Sequence, residues 1–430
     1  MHFHGLDSNH VYFKYWNINI IYMGALAKNI NNNTQRISIF LIYIFLFVFP
    51  FSSAFAIVAN KIIPITLIEK SLIYLTCLLV ISTGILNKAM FRSLILIGLA
   101  LFIVLLQLLI YPHNFEISLN AFLRLTFPVL FYSAISTYIG YSGTDLSGRI
   151  GVCLFGLAFL SVLSILSGYV TGLGGEIGGR GESISGNKGF FIGANEVGIL
   201  FLLILIVIGR LNSFILRITS FLAVLICGLI VLTKSSLVAS LYSAYLLITR
   251  NEILRYPMVL FVLICLAYFF DSLSALFFEV TAGTFLDSTN QLFSQFLLRG
   301  RQFYFEAFFS NVNMDSLTNL IRFLFIGFGE NYVADTIAEG IGIEAGRRST
   351  FEMDILDLVF SMGVVFSVCY LVAVIYFLRS LFPYLFFAEK MIIFSVILHS
   401  ILAGHVIYSP MITTTIVLVF FVVKNNPRIS

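Results

Sequence analysis

Residues 93–110 read SLILIGLALFIVLLQLLI, without a single Asp, Glu, Lys or Arg. Lys88 and Arg92 stand just before the run. About 20 apolar residues in a helix cross the ~30 Å hydrocarbon core of a bilayer. No water is available there to pair backbone groups, so only a helix or a closed barrel can cross. An unbroken apolar run of this length, with no alternation of polar residues, predicts a membrane-spanning helix.

Working outward, similar runs recur along the chain. They predict spans at 37–59, 62–86, 91–111, 117–140, 149–170, 190–209, 214–232, 235–249, 256–270, 355–378, 388–404 and 405–423. The 430 residues are 59% hydrophobic and 11% charged, and the mean hydropathy is +1.00. A soluble domain cannot hide that much apolar surface, and disorder needs the opposite composition. Nucleic-acid binding is excluded as a reading, because the net charge is only +4 with no basic block. The fold class expected is an all-α polytopic membrane protein with about twelve transmembrane helices. A tail (1–36) precedes helices one to nine (37–270). A large loop (271–354) separates these from helices ten to twelve (355–423) and a short tail (424–430). Cys77, Cys153, Cys227, Cys265 and Cys369 all lie in apolar runs and form no CxxC pair, which argues for packing rather than a disulfide or zinc role. His2, His4 and His10 carry little weight as metal ligands.

Basic residues concentrate on the cytoplasmic side of membrane proteins. With the N-terminus inside, Lys28, Arg36, Lys88, Arg92, Arg149, Arg210, Arg217, Arg250, Arg255, Arg379, Lys390, Lys424 and Arg428 all face the cytoplasm. Two segments on the other side exceed tight turns. The first is 171–189, TGLGGEIGGRGESISGNKG, which carries Arg180. The second is 271–354, which holds eleven of the chain's 21 acids (Asp271, Glu279, Asp287, Glu306, Asp315, Glu330, Asp335, Glu339, Glu344, Glu352 and Asp354). Within it, 290–309 and 320–326 read as apolar or amphipathic stretches suited to a membrane surface or to packing on the bundle.

No P-loop, GxSxG, HExxH or CxxC occurs. The candidate chemistry lies in the large loop and the turns beside it. Arg299 and Arg301, in LLRGRQFYF, stand on either side of Gly300. Guanidinium forks bind phosphate oxygens bidentately, so these two and Arg180 suit a pyrophosphate; salt bridging to the loop's acids is the competing role. FEMDILD at 351–357 supplies Glu352, Asp354 and Asp357 where the loop enters the tenth span. A partly desolvated carboxylate there can act as a general base. Asp357 can instead pair with a basic group such as Arg124, which sits inside the fourth span and is read as structural. His405, in HSILAGH, and Lys234, in LTKSS, offer further polar contacts at turns on the same side; packing is an equal reading for His405.

Four pieces, in order, resemble the O-antigen polymerase/ligase superfamily, and the Wzy-type polysaccharide polymerases in particular. They are GANEVG at 193–198, LTKSSLVA at 232–239, RGRQFYFEAF with IGFGENY at 299–308 and 326–332, and EMDILD at 352–357 followed by Gly363. Ligase members carry a histidine where Glu352 stands, eleven residues before that glycine, so the acid points to a polymerase. The turn reads TKSS where the family ends in serine–arginine, so Lys234 would replace that charge. The resemblance implies a glycosyltransferase of the inner membrane, acting on the periplasmic face without a metal or other cofactor. Donor and acceptor would both be glycans on undecaprenyl pyrophosphate. Arg180, Arg299 and Arg301 would stabilise the leaving group, and Glu352 would take the acceptor's proton. Lys234, Asp354 and His405 would contact substrate. Membrane lipids, a chain-length regulator and a flippase are the further partners implied. A lipid-linked oligosaccharide flippase and an O-antigen ligase are the rival functions.

Overall fold

The computed structural model describes Tyr74 and residues 88–110, 115–142, 146–172, 176–177, 186–187, 194–211, 213–250, 301–342, 351, 353–404 and 406–425. The spans expected at 37–59, 62–86 and 256–270, and the loop from 271 to 300, lie outside them.

The described chain is helical apart from one two-residue antiparallel pairing. Its elements run α1 (Lys88–Ile110), α2 (Phe115–Ser142), α3 (Leu146–Thr171), β1 (Glu176–Ile177), β2 (Gly186–Asn187), α4 (Ala194–Ile208), α5 (Phe214–Val231) and α6 (Lys234–Arg250). Then follow α7 (Arg301–Asn311), α8 (Leu317–Ile321), a π-helical turn (Arg322–Ile326), α9 (Glu330–Ile341), α10 (Asp354–Met362), α11 (Val364–Leu381), a 3-10 turn (Phe382–Tyr384), α12 (Phe387–Ala403) and α13 (Pro410–Asn425). Five stretches are long and apolar enough to cross a membrane: Phe91–Ile110, Ile117–Ser136, Ile150–Thr171, Phe214–Val231 and Val364–Tyr384. The chain is thus a helical protein built for a membrane.

Side-chain pattern sorts the helices into centre and rim. α4 is apolar on every face, and from residue 197 to 208 every position is buried. A helix apolar all round belongs in the middle, and α4 packs against α3, α5, α6, α12 and α13. α11 is one-sided. Val365, Val368, Val372, Ile375 and Tyr376 are exposed along one stripe, while Phe366, Ser367 and Tyr370 are buried on the other. The exposed stripe suits contact with lipid.

Small residues permit the closest crossings, as expected where lipid gives no hydrophobic drive between helices. A Cβ on Gly198 would lie 2.3 Å from Ser235 Oγ, and one on Gly228 would lie 2.2 Å from Ser240 Oγ. Ser240 and Ser243 on α6 donate to the carbonyls of Leu225 and Phe221 on α5, at 3.0 and 2.6 Å.

The tenth span departs from expectation. The run 355–378 is interrupted at Gly363, whose φ is 85° and ψ 158°. Asp354–Met362 is a separate short helix, and the membrane-length stretch begins at Val364. The cause is a backbone-to-backbone contact with the preceding loop. A Cβ on Gly327 would lie 2.5 Å from the Ser361 carbonyl, and one on Gly363 would lie 3.0 Å from Gly327 N. Phe328 N–H and Gly329 N–H donate to the carbonyls of Phe360 and Ser361, at 2.7 and 3.1 Å.

Beyond that contact, α7, α9 and α10 enclose an aromatic core of their own. Phe308 packs edge-on against Phe328, Phe351 and Phe360, with ring centroids 5.6, 5.5 and 5.0 Å away. The segment expected to lie along 320–326 ends in the π-helical turn, and Leu317, Leu320, Ile321 and Phe325 remain exposed.

Candidate functional site

Two ion pairs among the described residues lie at opposite ends of the bundle. At one end, Arg210 and Glu389 are each only 4% exposed and meet through two contacts, Nη2–Oε2 at 2.7 Å and Nε–Oε1 at 3.2 Å. Arg210 also donates to the Tyr384 carbonyl, and Glu389 accepts from Phe386 N–H. Both residues lie in segments that the distribution of basic residues assigns to the cytoplasm.

The opposite end gathers α1, α2, α9, α10 and the turn between α12 and α13. Arg124 stands more than two turns into α2 and binds Glu330, the first residue of α9, at 2.6 Å. This corrects the expected pairing with Asp357, whose Oδ1 accepts from Phe351 N–H at 2.8 Å. Asp357 therefore fixes the backbone at Phe351. Gln107, near the end of α1, donates to the carbonyls of Ile326 and Ser361, at 2.7 and 2.6 Å. That amide ties α1 to both sides of the glycine contact.

Asp354 is 1% exposed. Its Oδ2 accepts from Ser400 Oγ, Val406 N–H and Ile407 N–H, at 2.6, 2.8 and 3.0 Å. Such a set makes Asp354 an anchor for Ser400, Val406 and Ile407. Tyr408 closes the same turn. Arg124 lies 6.0 Å from its ring centre.

Gln107, Glu330 and Tyr408 line a small crevice there, with room for about one water molecule. Its polar lining is Gln107, Ser118, Glu330, Ser361 and Tyr408, against apolar walls from Leu125 and Met362. Three polar atoms hidden at this end take no protein hydrogen bond: Glu330 Oε2, Arg124 Nε and the Tyr408 hydroxyl. Among the described residues no group of His, Cys, Asp or Glu is arranged to hold a metal ion.

Of the residues singled out from sequence, Arg180, Arg299, Glu352 and His405 lie outside the described residues. Arg301 opens α7 and Lys234 opens α6, placed by backbone alone. The Lys234 turn has a packing role. Thr233 and Ser236 cap α6 reciprocally, with N–H to hydroxyl distances of 2.8 and 3.2 Å, and Ser235 donates to the Asn195 carbonyl at 3.2 Å. The four sequence pieces therefore meet as two pairs, GANEVG with LTKSS and FGENY with the helix ending at Gly363. Sequence reasoning passed over Gln107, Glu330 and Tyr408 as site residues. The signal for Gln107 was a lone amide in an apolar span, and for Glu330 an acid between FG and NY. No protein-family model matches this chain, and no curated protein matches it.

Proposed function

We propose that the protein is an integral membrane glycosyltransferase that extends lipid-linked oligosaccharide repeats, as an O-antigen polymerase does. One observation carries the reading. Residues 301–341 do not run as a free connector but dock on one end of the bundle, through their own aromatic core, and leave a small polar crevice there. The pairing of the four sequence pieces into two contacts also supports it.

In this reading the growing glycan sits on undecaprenyl pyrophosphate at the periplasmic face of the inner membrane. The hydroxyl of an incoming repeat attacks the anomeric carbon. The new C–O bond forms as the bond to pyrophosphate breaks, and the lipid pyrophosphate leaves with the electron pair. Arg299 and Arg301, with Arg180, would stabilise that charge, and Glu352 would take the hydroxyl proton.

A transporter of the same lipid-linked glycans is favoured by one feature, the helix broken at Gly363, since broken helices line many transport sites. Lipid-linked glycans in a strain lacking the gene separate these functions. Loss of a polymerase leaves single repeats on the outer surface, as this reading expects. Repeats trapped inside would make the protein a flippase, and long chains held on the carrier would make it a ligase.

A further inference from the structure

We propose that Leu317–Ile326 is a lipid-binding segment, which lies along the membrane surface and buries its outward face among acyl chains. Membrane insertion of the bundle is all that this requires, and no transfer chemistry enters.

The sequence gives the segment its two sides. LTNLIRFLFI holds seven apolar residues and a single charge, Arg322. Leu317, Leu320, Ile321 and Phe325 fall at helical spacing and are all exposed, Leu317 by 70% and Phe325 by 57%. Phe323 belongs to the other side, with its ring centroid 5.1 Å from that of Phe360 in the aromatic core. The segment is thus fixed to the protein along one side and open along an apolar one. Contiguous apolar surface of this kind marks an interaction site.

Two contacts set its depth. Gln107 donates to the Ile326 carbonyl at 2.7 Å, and Gln107 stands three residues before the end of the membrane-length stretch Phe91–Ile110. From α11, a Cβ on Gly363 would lie 3.0 Å from the Phe325 carbonyl carbon, one residue before the stretch Val364–Tyr384 begins. Both stretches therefore meet Phe325 and Ile326 within one helical turn of their ends, about 5 Å. An apolar segment held there sinks about 5–10 Å into the boundary of headgroups and acyl chains. Leu105 and Leu109 on α1, and Val365 and Val368 on α11, are exposed at the same level. The open face of 317–325 continues the apolar surface that these two helices turn outward, and acyl chains are the one partner that covers all of it.

The chain has a single tryptophan, Trp16, so Trp16→Phe protein in liposomes reports one introduced ring at a time. Leu317→Trp and Phe325→Trp place that ring on the open face. Val372→Trp, in the exposed stripe of α11, is the mid-membrane reference, and Asp335→Trp, exposed on α9, is the aqueous one. Leu317→Trp and Phe325→Trp are expected to emit at shorter wavelength than Asp335→Trp and to resist iodide. Lipids brominated near the headgroup should quench them more than lipids brominated near the chain ends, and Val372→Trp should show the opposite order. All four positions are exposed, so no core side chain is replaced, and either segment variant carries the test if the other does not insert. Quenching of either segment position by iodide, with no effect of brominated lipid, would overturn the proposal in favour of a water-exposed loop. Quenching by neither agent would overturn it in favour of a protein cover, from a second copy or another segment of this chain.

Discussion

Arg124, inside α2, and Arg210, just past the end of α4, each pair with a carboxylate. Arg210 and Glu389 are the more buried pair. Removing one partner strands a charge out of water, which costs about 3–5 kcal/mol, whereas replacing both with apolar residues of similar volume is close to neutral. Arg210→Met or Glu389→Leu alone should therefore lower the melting temperature sharply, and the double variant should recover most of it. Equal losses in the single and double variants would show that the pair is not coupled. The Arg124–Glu330 pair is 25% and 18% exposed, so water screens it, and single substitutions there should cost less. Asp354 accepts three hydrogen bonds from the 400–407 region, and bonds to a charged acceptor are worth about 1.5–3 kcal/mol each before non-additivity. Asp354→Ala should destabilise the protein by more than 2 kcal/mol on that scale, read by thermal unfolding in detergent. A melting temperature unchanged from wild type would remove Asp354 as an anchor.

Among elements, the contact between the 326–329 segment and the end of α10 decides how the loop sits. Gly327 and Gly363 have positive φ angles of 74° and 85° and face each other at backbone distance. Gly327→Ala would need both a disfavoured conformation and a displaced backbone. A loss above roughly 3 kcal/mol is expected, from conformational strain of about 1–2 kcal/mol plus the steric clash. Gly98, in the middle of α1 with open space around it, is the control; Gly98→Ala should be neutral or stabilising by up to about 1 kcal/mol. Comparable losses at both glycines would mean that helix propensity, not the contact, governs them. This element also shows why sequence reading stopped where it did. Hydropathy located α1, α2, α3, α5 and the body of α11 within a few residues, because lipid makes burial of backbone and side chain one problem. It ran 355–378 together because the apolar character continues across Gly363, while the break depends on a glycine thirty-six positions earlier in the chain. The candidate site was legible as a region and as motifs. The partner of Arg124 was not, since eleven acids in the same loop looked alike and only the fold selects Glu330.

At the scale of the molecule, the two ion pairs lie at opposite ends of the bundle. Segments assigned outside converge on Arg124 and Asp354, and segments assigned inside converge on Arg210 and Glu389. Cysteine introduced at Ser183 and at Ser316 should therefore react with an impermeant reagent in intact spheroplasts. Protection of both until lysis would invert the arrangement. The central claim is that the protein transfers glycan from one lipid carrier to another, and elongation by the isolated protein tests it most directly. A strain lacking the gene supplies the lipid-linked single repeat, and wild-type protein in liposomes with that lipid should yield a ladder of longer glycans with release of the lipid pyrophosphate. Arg301→Ala and Glu352→Gln should each slow the ladder by about 30- to 1,000-fold, the effect of losing a contact made in the transition state. No ladder from properly inserted wild-type protein, with the same lipid elongated by membranes that carry the gene's other partners but lack this chain, would contradict the account.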